Sequence, residues 1–473
     1  MKELNKETIY DTEFDKLNYQ MLKETKNTDN RINEEETTST KVVFTNGNTY
    51  TYIPAEKTVY LNDKIKIAEE LDECIFSITT SNYKKCLVTN LRIGNITRNQ
   101  KYALLYTVQN LAGIRVAENT EYEDKNGEKA MIPAGFTVSG IDSEQTVSGG
   151  LVIYDIPEED IESVTWDETI KTLYDQFVWI PVARSEGDTA TNIANFCRSD
   201  WSYTASGGTR LYELSSNYTE PYSYDDKDYD AITGTKIASQ IDELKESIYN
   251  NKGFFIARYE AGSKTERTST SGDTEIVFRQ DVYPYNYIQW GASMSDVTTA
   301  NSNGAHGAVY LSNQLYNNSN YGVKSMLCTG AAWDTMLDFI KSEQHNVTKG
   351  TEWGNHLDAE FTIQRGKYAE YSSGLGSFQN VSGTYKKESD TRVLLTTGAT
   401  DRNCAKNLYD IAGNCWEWTT EAYNEGKNNT EGRFYRGCSY WHGGTTPPTY
   451  RAEELSVTAI NESMGFRPIL YLT

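Results

Sequence analysis

A twelve-residue segment near the carboxyl end constrains the fold more than any other part of this chain. From residue 407 to residue 418 it reads Asn-Leu-Tyr-Asp-Ile-Ala-Gly-Asn-Cys-Trp-Glu-Trp. Its large apolar residues have mixed spacing, which indicates a tightly wound core segment rather than an amphipathic helix. The central Gly-Asn pair is a turn signal, since both residues tolerate positive φ. If the end is extended, Trp416 and Trp418 share one face and Glu417 points the other way. The segment is therefore predicted to be structural core.

Two short motifs follow this segment. Residues 436–441 read Arg-Gly-Cys-Ser-Tyr-Trp, and residues 465–468 read Gly-Phe-Arg-Pro. Together with residues 407–418 they resemble the signatures of the formylglycine-generating-enzyme/sulfatase-modifying family, a branch of the C-type-lectin fold. Further segments resemble that family in the same order: 253–260, 284–290 and 325–334.

The chain is predicted to have an α+β fold with three parts. Residues 1–40 are polar and predict a short helical arm and linker. Residues 41–125 contain short β-type runs and predict a small β-rich domain. Residues 126–473 are expected to form the C-type-lectin domain, with Trp333, Met336, Leu337 and Ile340 on one helix face. Two inserts rich in Ser, Thr, Tyr, Gly and Asn, 183–250 and 341–395, are predicted to be long irregular loops.

Charge restricts the partners that this chain can have. It carries 45 Lys and Arg against 67 Asp and Glu, a net charge of −22. That balance argues against nucleic acid and against anionic membrane surfaces. No apolar run reaches the length of about 18 residues that suits a membrane-spanning helix. The first residues lack an apolar stretch, so no signal peptide is expected.

The cysteines and histidines offer little chemistry. The seven Cys have no metal-like spacing and predict scattered free thiols, with a Cys74–Cys86 disulfide left open. The formylglycine-generating enzymes use a Cys pair after the "G-G-S" turn, whereas no Cys follows Ser439 here. The four His lack the spacing of a three-His iron site. No phosphate loop, nucleophile elbow or HExxH motif occurs. We therefore expect no catalytic residues and no enzyme, and rank a formylglycine-generating-like oxidase third.

The same fold and closing motifs occur in the variable proteins of diversity-generating retroelements, which the chain resembles most. There the stretch between the two closing motifs, about 436–467 here, presents a ligand-binding patch. Exposed aromatic residues with a polar rim are typical of interaction sites. The residues predicted to form this patch are Tyr440, Trp441, His442, Thr445, Thr446, Ala452, Glu453, Glu454, Ser456, Val457 and Thr458. Trp441, Glu453 and Glu454 cannot arise by adenine substitution in an Asn codon alone, so diversification stays open.

The resemblance also raises two further expectations. Asn414 and Glu417 are candidate ligands of a calcium ion, since oxygen ligands suit this cation; no other cofactor is expected. The partner is expected to be a protein or glycan receptor on a cell surface, bound by a homo-oligomer, for which a trimer is suggested because it multiplies weak contacts. A phage tail or virion is the predicted location. The alternative is a cytoplasmic or surface-exported bacterial binding protein of the same fold.

Overall fold

The chain forms two compact units, Met1–Ala117 and Glu118–Thr473. The computed structural model describes residues 40–43, 49–53, 56, 58–61, 65–68, 75–80, 88–94, 102–106, 111–161, 163–202, 209–211, 218–219, 237–293, 296–318, 320–370, 374–381, 385–423, 433–452 and 455–473. The predicted arm of residues 1–40 lies outside the described residues except for Thr40, and so do Cys74 and Cys86.

The described part of the first unit contains antiparallel strands. They are β1 (Thr40–Val43), β2 (Thr49–Ile53), β3 (Thr58–Leu61), β4 (Ile65–Ala68), β5 (Ile75–Thr80), β6 (Val88–Gly94) and β7 (Tyr102–Tyr106). The first four form one sheet in sequence order, and the last three form another. Each strand thus pairs with its neighbour in sequence, which hairpin connections permit.

The second unit is rich in strands and has few helices. Its first strands are β8 (Thr120–Glu123), β9 (Lys129–Ile132), β10 (Thr137–Val138), β11 (Val152–Tyr154), β12 (Gln176–Pro181), β13 (Asp200–Ser202), β14 (Thr209–Leu211), β15 (Tyr218–Thr219), β16 (Gly253–Ala257), β17 (Gly262–Ser263), β18 (Ile276–Val277), β19 (Tyr283–Pro284) and β20 (Val323–Leu327). The later ones are β21 (Phe361–Ile363), β22 (Lys367–Glu370), β23 (Gln379–Asn380), β24 (Tyr385–Lys387), β25 (Val393–Leu395), β26 (Cys404–Ala405), β27 (Leu408–Tyr409), β28 (Trp416–Tyr423), β29 (Arg433–Arg436), β30 (Met464–Phe466) and β31 (Pro468–Leu472). The described α-helices are α1 (Ile237–Asn251), α2 (Ala308–Asn313) and α3 (Gly330–Ile340), with short 3-10 helices at Asp142–Glu144, Glu168–Thr172 and Asp401–Asn403.

A six-stranded antiparallel sheet forms the centre of this unit. Its order is β10-β11-β12-β16-β31-β20, so the last long strand of the chain lies between β16 and β20. Every residue of β16 and β31 is buried. Strands buried on both faces are continuous apolar runs rather than alternating ones, as Phe-Phe-Ile-Ala in β16 shows. The carboxyl end of the chain is therefore held in the core.

Helix α3 agrees with the prediction from apolar spacing. Trp333, Met336, Leu337 and Ile340 are all buried, and the helix packs against β12 and β28. Its first turn is capped by the Thr329 hydroxyl, which accepts a hydrogen bond of 3.0 Å from the Ala332 amide. A side-chain cap of this kind satisfies an amide that has no partner within the helix.

The prediction of irregular inserts was wrong in two places. Residues 237–251, which overlap the end of the first insert, form helix α1, which packs on β16 and β31. Its buried residues recur at helical spacing: Ile237, Ile241, Leu244 and Ile248. That apolar periodicity is a helix signal, which the polar composition around it concealed. The second insert contains β21 to β25, short strands that pair with one another.

The end of the twelve-residue segment forms the start of strand β28, which belongs to a second sheet. Strand β28 pairs antiparallel with β29 and parallel with β30, so the two closing motifs flank it. Trp416 and Trp418 are buried and both contact the Tyr435 ring, at centroid distances of 5.1 and 5.4 Å. The predicted alternation is confirmed, because Glu417 instead bonds Arg467.

Candidate binding surface

Beneath the predicted patch, Glu417 and Arg467 form a buried ion pair. Arg467 Nη2 lies 2.7 Å from Glu417 Oε1, and its Nε lies 2.9 Å from Oε2. Arg467 also donates to the carbonyls of Ala257 and Tyr409. Each donor thus has an acceptor, which offsets the cost of burying the two charges. This pair fastens the closing motif to β28 and to the central sheet.

The calcium interpretation of Asn414 and Glu417 is contradicted by their contacts. The Asn414 side-chain oxygen already accepts bonds of 2.9 Å from Asn355 Nδ2 and 3.0 Å from the Leu395 amide. Both Glu417 oxygens face the Arg467 guanidinium, whose positive charge repels a cation. Both side chains are fully buried. Among the described residues, no group of three or more His, Cys, Asp or Glu could hold a metal ion.

Residues 437–446, here called the display loop, begin with two left-handed residues. Gly437 has φ of +90° and Cys438 has φ of +68°, so the chain turns sharply after β29. The Gly437 carbonyl accepts a 2.7 Å bond from the Gly413 amide, and the Tyr440 amide donates to the Asn414 carbonyl at 3.0 Å. The Gly-Asn turn of the core segment therefore sets the direction in which the loop leaves the sheet.

Residues 350–358 hold the far side of the display loop through its backbone. Gly350 N donates to Gly444 O at 3.0 Å, and Leu357 N donates to His442 O at 3.0 Å. Asp358 accepts a 2.8 Å bond from the Gly444 amide. Gly444 is required there, since a Cβ would lie 1.9 Å from Thr351 Oγ1. Exposed loop side chains contribute nothing to these bonds.

Residues 447–452, here called the anchoring turn, are fixed by buried groups. Trp333 Nε1 donates to the Pro448 carbonyl at 3.0 Å, and Arg436 Nη2 donates to the Thr449 carbonyl at 3.2 Å. Ala452 exchanges two backbone bonds with Tyr435, at 3.0 and 3.1 Å. The turn is thus fastened at both ends.

The side chain of Arg451 extends this anchor into a buried ion cluster, defined here as Asp334, Glu421, Arg436 and Arg451. Arg451 Nε lies 3.0 Å from Glu421, and its Nη2 bonds Asp334. Arg436 Nη2 lies 2.8 Å from Asp334. The two guanidiniums hold the pKa of the Asp334 carboxyl below its usual range, against the effect of burial. Arg451 is therefore a structural residue.

Three predicted patch residues are buried, which corrects the prediction. Tyr440 is 1% exposed and packs with Leu394 and Cys415 in a small core cluster. Ala452 bridges to Tyr435 in β29. Val457 lies beside Trp290, whose amide donates to the Val457 carbonyl at 2.9 Å. Their side chains face inward because the backbone on either side is held against the sheets. Glu453 and Glu454 lie outside the described residues.

The remaining predicted residues reach the surface. His442, Thr445, Ser456 and Thr458 are exposed, and Trp441 and Thr446 are half-buried. Arg392 lies over the Trp441 ring, with its guanidinium carbon 3.6 Å from the centroid. The structure therefore brings part of the predicted set to solvent, on a backbone fixed from below.

Tyr450 is an exposed aromatic residue that the predicted patch does not include. Its side chain is 49% exposed, and its ring lies 6.4 Å from that of Trp416. His442 flanks the same tryptophan at 5.5 Å. The amide of Trp416 donates to the Ser463 carbonyl at 2.7 Å. Trp416 thus touches both ends of the 437–463 segment and joins them. Pro447 and Pro448 come shortly before Tyr450 in the sequence. Prolines are a sequence signal for a fixed turn, and this turn projects the Tyr450 side chain.

Cys438 and His356 are ionisable groups beneath the loop. Burial raises the pKa of the Cys438 thiol to about 12, so it stays protonated at neutral pH. Burial lowers the pKa of His356 to about 3, and its side chain is fully enclosed. Neither ring nitrogen of His356 has a hydrogen-bond partner in the structure. Both groups are neutral at pH 7, and neither reaches solvent.

Comparisons with known proteins support the coarse family resemblance. Residues 352–471 match the family model of the sulfatase-modifying factor enzyme 1-like domain. The match spans β28 to most of β31 and the loops between them, together with residues 352–415. The crystal structure of CarF aligns at 13% identity over 47% of this chain and 87% of that chain, with a TM-score of 0.26. No curated protein matches the chain. In the described residues, no helix is long and apolar enough to cross a membrane.

Proposed function

We propose that residues 437–463 present a binding surface whose contact residues are His442, Thr445, Thr446, Tyr450, Ser456 and Thr458. One observation carries this proposal: the backbone of the segment is held from below, independently of most of these side chains. Thr445 and Thr446 make no side-chain hydrogen bond to any residue that the structure describes. A fixed backbone suits recognition, because little order has to be gained on binding.

The chemistry of the surface fits a neutral polar partner with apolar faces. Tyr450 and His442 offer ring faces beside Trp416, and the remaining contact residues offer hydroxyls. Tyr and Ser are residues that binding loops use for rigid contact area and adaptable hydrogen bonding. We infer that the partner is a protein or glycan receptor on a cell surface.

Two matched libraries test whether the surface is separable from the fold. One randomises five contact positions: His442, Thr445, Thr446, Ser456 and Thr458. The other randomises four buried positions of the same segment: Tyr440, Gly444, Ala452 and Val457. We expect most members of the first library to resist protease as the parent does, and most members of the second to be degraded. Equal losses in both libraries would show that the contact positions belong to the core.

Binding itself is tested on immobilised cell-surface proteins and glycans. The parent chain is compared with a variant in which His442, Thr445, Thr446 and Tyr450 are all replaced by Ala. A control variant carries Ala at four exposed positions elsewhere: Glu121, Lys129, Lys324 and Lys386. We expect the control to bind as the parent does and the first variant to lose at least about tenfold in affinity, which corresponds to about 1.4 kcal/mol. Retained binding by the first variant at unchanged melting temperature would refute the proposed surface.

Diversification by a retroelement and a phage location are part of the same proposal. The test is the flanking DNA, where a reverse-transcriptase gene and a near-copy of the 436–467 coding region are expected. We also propose a homo-oligomer, a trimer in its simplest form, because several weak sites raise the avidity. Light scattering of the full chain measures its mass directly. A monomer without those flanking genes would leave the alternative, a bacterial binding protein of the same fold.

An oxidase activity is the competing function, since the family matched by residues 352–471 is described by an enzyme name. The assay is oxidation of a Cys-containing peptide in the presence of copper. We expect no turnover, because the Cys438 thiol is buried and protonated. Turnover that disappears in a Cys438→Ser variant would assign the oxidase function instead.

A further inference from the structure

A cavity of about 310 Å³ opens to solvent in the second unit. Its wall comes from three places in the second unit. Residues 191–198 provide one side, Ile241 and Lys245 of α1 provide another, and Thr329 and Ala331 at the start of α3 close it. None of these residues belongs to the segment 437–463. The cavity has the size of the smaller ligand pockets in proteins.

Arg198 brings a positive charge into this wall. Its side chain is 22% exposed, and its Nη1 lies 3.6 Å from Glu421 Oε1. The two groups form an ion pair at this distance, but not a hydrogen bond. Among the described residues, the buried Nη1 atom of Arg198 has no hydrogen-bond partner. Glu421 is already shared with Arg451 at 3.0 Å and Arg436 at 3.5 Å. With Arg198 added to the buried ion cluster, three guanidiniums face the carboxylates of Glu421 and Asp334 in the described part of the chain.

Lys245 adds a second cation to the lining of the cavity. It is half-buried on α1 and forms no ion pair with any residue that the structure describes. The amino end of the eleven-residue helix α3 meets the same space at Ala331. The two cations favour an anion, whereas Gly330 at the start of this helix already lies against the Glu421 carboxylate. These cations are notable in a chain of net charge −22, whose surface is otherwise expected to repel anions.

Beside polar residues such as Thr191, Asn192 and Thr329, the wall contains three apolar side chains. Ile193, Phe196 and Ile241 are largely buried residues that line the cavity beside the two cations. A cavity volume of about 310 Å³ suits a small organic molecule. We propose that this cavity binds a small organic carboxylate, with its carboxylate between Arg198 and Lys245 and a compact apolar body against Ile193, Phe196 and Ile241.

Calorimetric titration of the full chain with benzoate tests the proposal. Benzoate has a carboxylate and a flat apolar body of suitable size, and benzamide is its uncharged counterpart. We expect saturable benzoate binding with a Kd of about 1 mM or lower. Benzamide is expected to bind at least about tenfold more weakly, since it loses the charge-assisted hydrogen bonds. Inorganic phosphate, titrated in parallel, tests whether any anion suffices.

Variants of Lys245 place the binding in the cavity. Lys245→Gln removes the charge and is expected to weaken benzoate binding about tenfold, whereas Lys245→Arg keeps it within about threefold. Lys324→Gln, at an exposed lysine outside the cavity, should leave the Kd unchanged. Melting temperatures of all three variants report whether each is folded.

Several results would overturn the assignment. These are no saturable benzoate binding, equal binding of benzamide, phosphate binding as tight as that of benzoate, or a folded Lys245→Gln variant with unchanged Kd. Substitution at Arg198 is a weaker test, because it also removes a partner of Glu421. The outcome is independent of the receptor-binding assay, which uses other residues.

Discussion

At the scale of single residues, the second unit depends on charged side chains that have been removed from water. Arg467 is fully buried and holds β28, the central sheet and the Tyr409 carbonyl together. Glu260 lies nearby and bonds the Asn414 amide group. Burial, together with the charges of Asp410 and Glu417, raises the pKa of Glu260 well above its usual range. One guanidinium thus faces several acids, of which Glu417 is the one it pairs with directly.

Replacing Arg467 by Met should therefore be severe. The change leaves the Glu417 carboxylate buried without its partner, which costs about 3–5 kcal/mol of unfolding free energy. Urea denaturation of the variant and the parent measures the difference. Adding Glu417→Leu to the same chain removes the unpaired charge and should recover a large part of the loss. If the double variant were less stable than the single one, the unpaired charge would not be the cause.

His356 predicts a dependence of stability on pH. In the folded chain its pKa is lowered to about 3 by burial, with Asp358, Lys387, Arg402 and His442 as charged or titratable neighbours. In the unfolded chain the imidazole takes a proton near pH 6.5. Its contribution is therefore complete above that pH and is lost as the pH falls toward 3, by up to about 1.4 kcal/mol for each pH unit.

A His356→Leu variant removes this titration. The unfolding free energy of the parent minus that of the variant should decrease as the pH is lowered from about 7 to about 5, because only the parent has a histidine to protonate at this position. Chemical denaturation of both proteins at each pH measures this difference. A difference that stays constant across this range would mean that His356 is protonated equally in both states, against the burial that the structure shows.

At the scale of elements, the display loop illustrates how main-chain bonds and glycines replace side-chain packing. The loop contacts residues 350–358 at Gly444 so closely that a side chain has no room. Thr445, the next residue, is exposed. Adjacent positions of one loop thus differ completely in what they tolerate, because one faces the supporting segment and the other faces solvent.

This contrast gives a matched pair of substitutions. Gly444→Ala should destabilise the chain by about 1–3 kcal/mol, since its Cβ would meet Thr351. Thr445→Ala should stay within about 0.5 kcal/mol of the parent. Thermal unfolding of both variants tests the pair. A neutral Gly444→Ala would show that the loop can move away from residues 350–358 without cost, and the rigid support proposed for the surface would be lost.

At the scale of the whole molecule, the chain separates into Met1–Ala117 and Glu118–Thr473, each compact by itself. The core, the ion cluster, the binding surface and the carboxylate cavity all lie in the second unit. A chain that begins at Glu118 contains every one of these contacts. Domains with a complete core of their own can fold alone.

The shortened chain should therefore keep a single cooperative melting transition and near-ultraviolet circular dichroism typical of fixed aromatic packing. Its binding to the receptor panel should match that of the full chain for a single site, while any loss through fewer linked copies would appear only in avidity. Broad, non-cooperative melting would show that residues 1–117 are needed for the second unit to fold.

Some features followed from local pattern. The alternation of Trp416, Glu417 and Trp418 predicted which side chains face the same way, and the apolar spacing predicted α3. These succeed because strand and helix periods are properties of the backbone. Helix α1 also keeps apolar residues at helical spacing, but the polar composition around it conceals this period.

Other features were decided by contacts between segments far apart in sequence. Tyr440, Ala452 and Val457 look like display positions, yet each is turned inward by a partner from elsewhere: the cluster around Leu394, the strand at Tyr435 and the Trp290 amide. In the sequence, Asn414 and Glu417 resemble ligands of a cation. In the structure, their side-chain oxygens instead accept hydrogen bonds from Asn355 and Arg467. Arg198 and Lys245 line one cavity although they lie far apart in sequence. The sequence by itself determined the alternation of side chains in the tryptophan-rich segment, since the strand period is local. The strand order and the choice of side chains that meet water were settled only by tertiary packing, because both depend on contacts between distant segments.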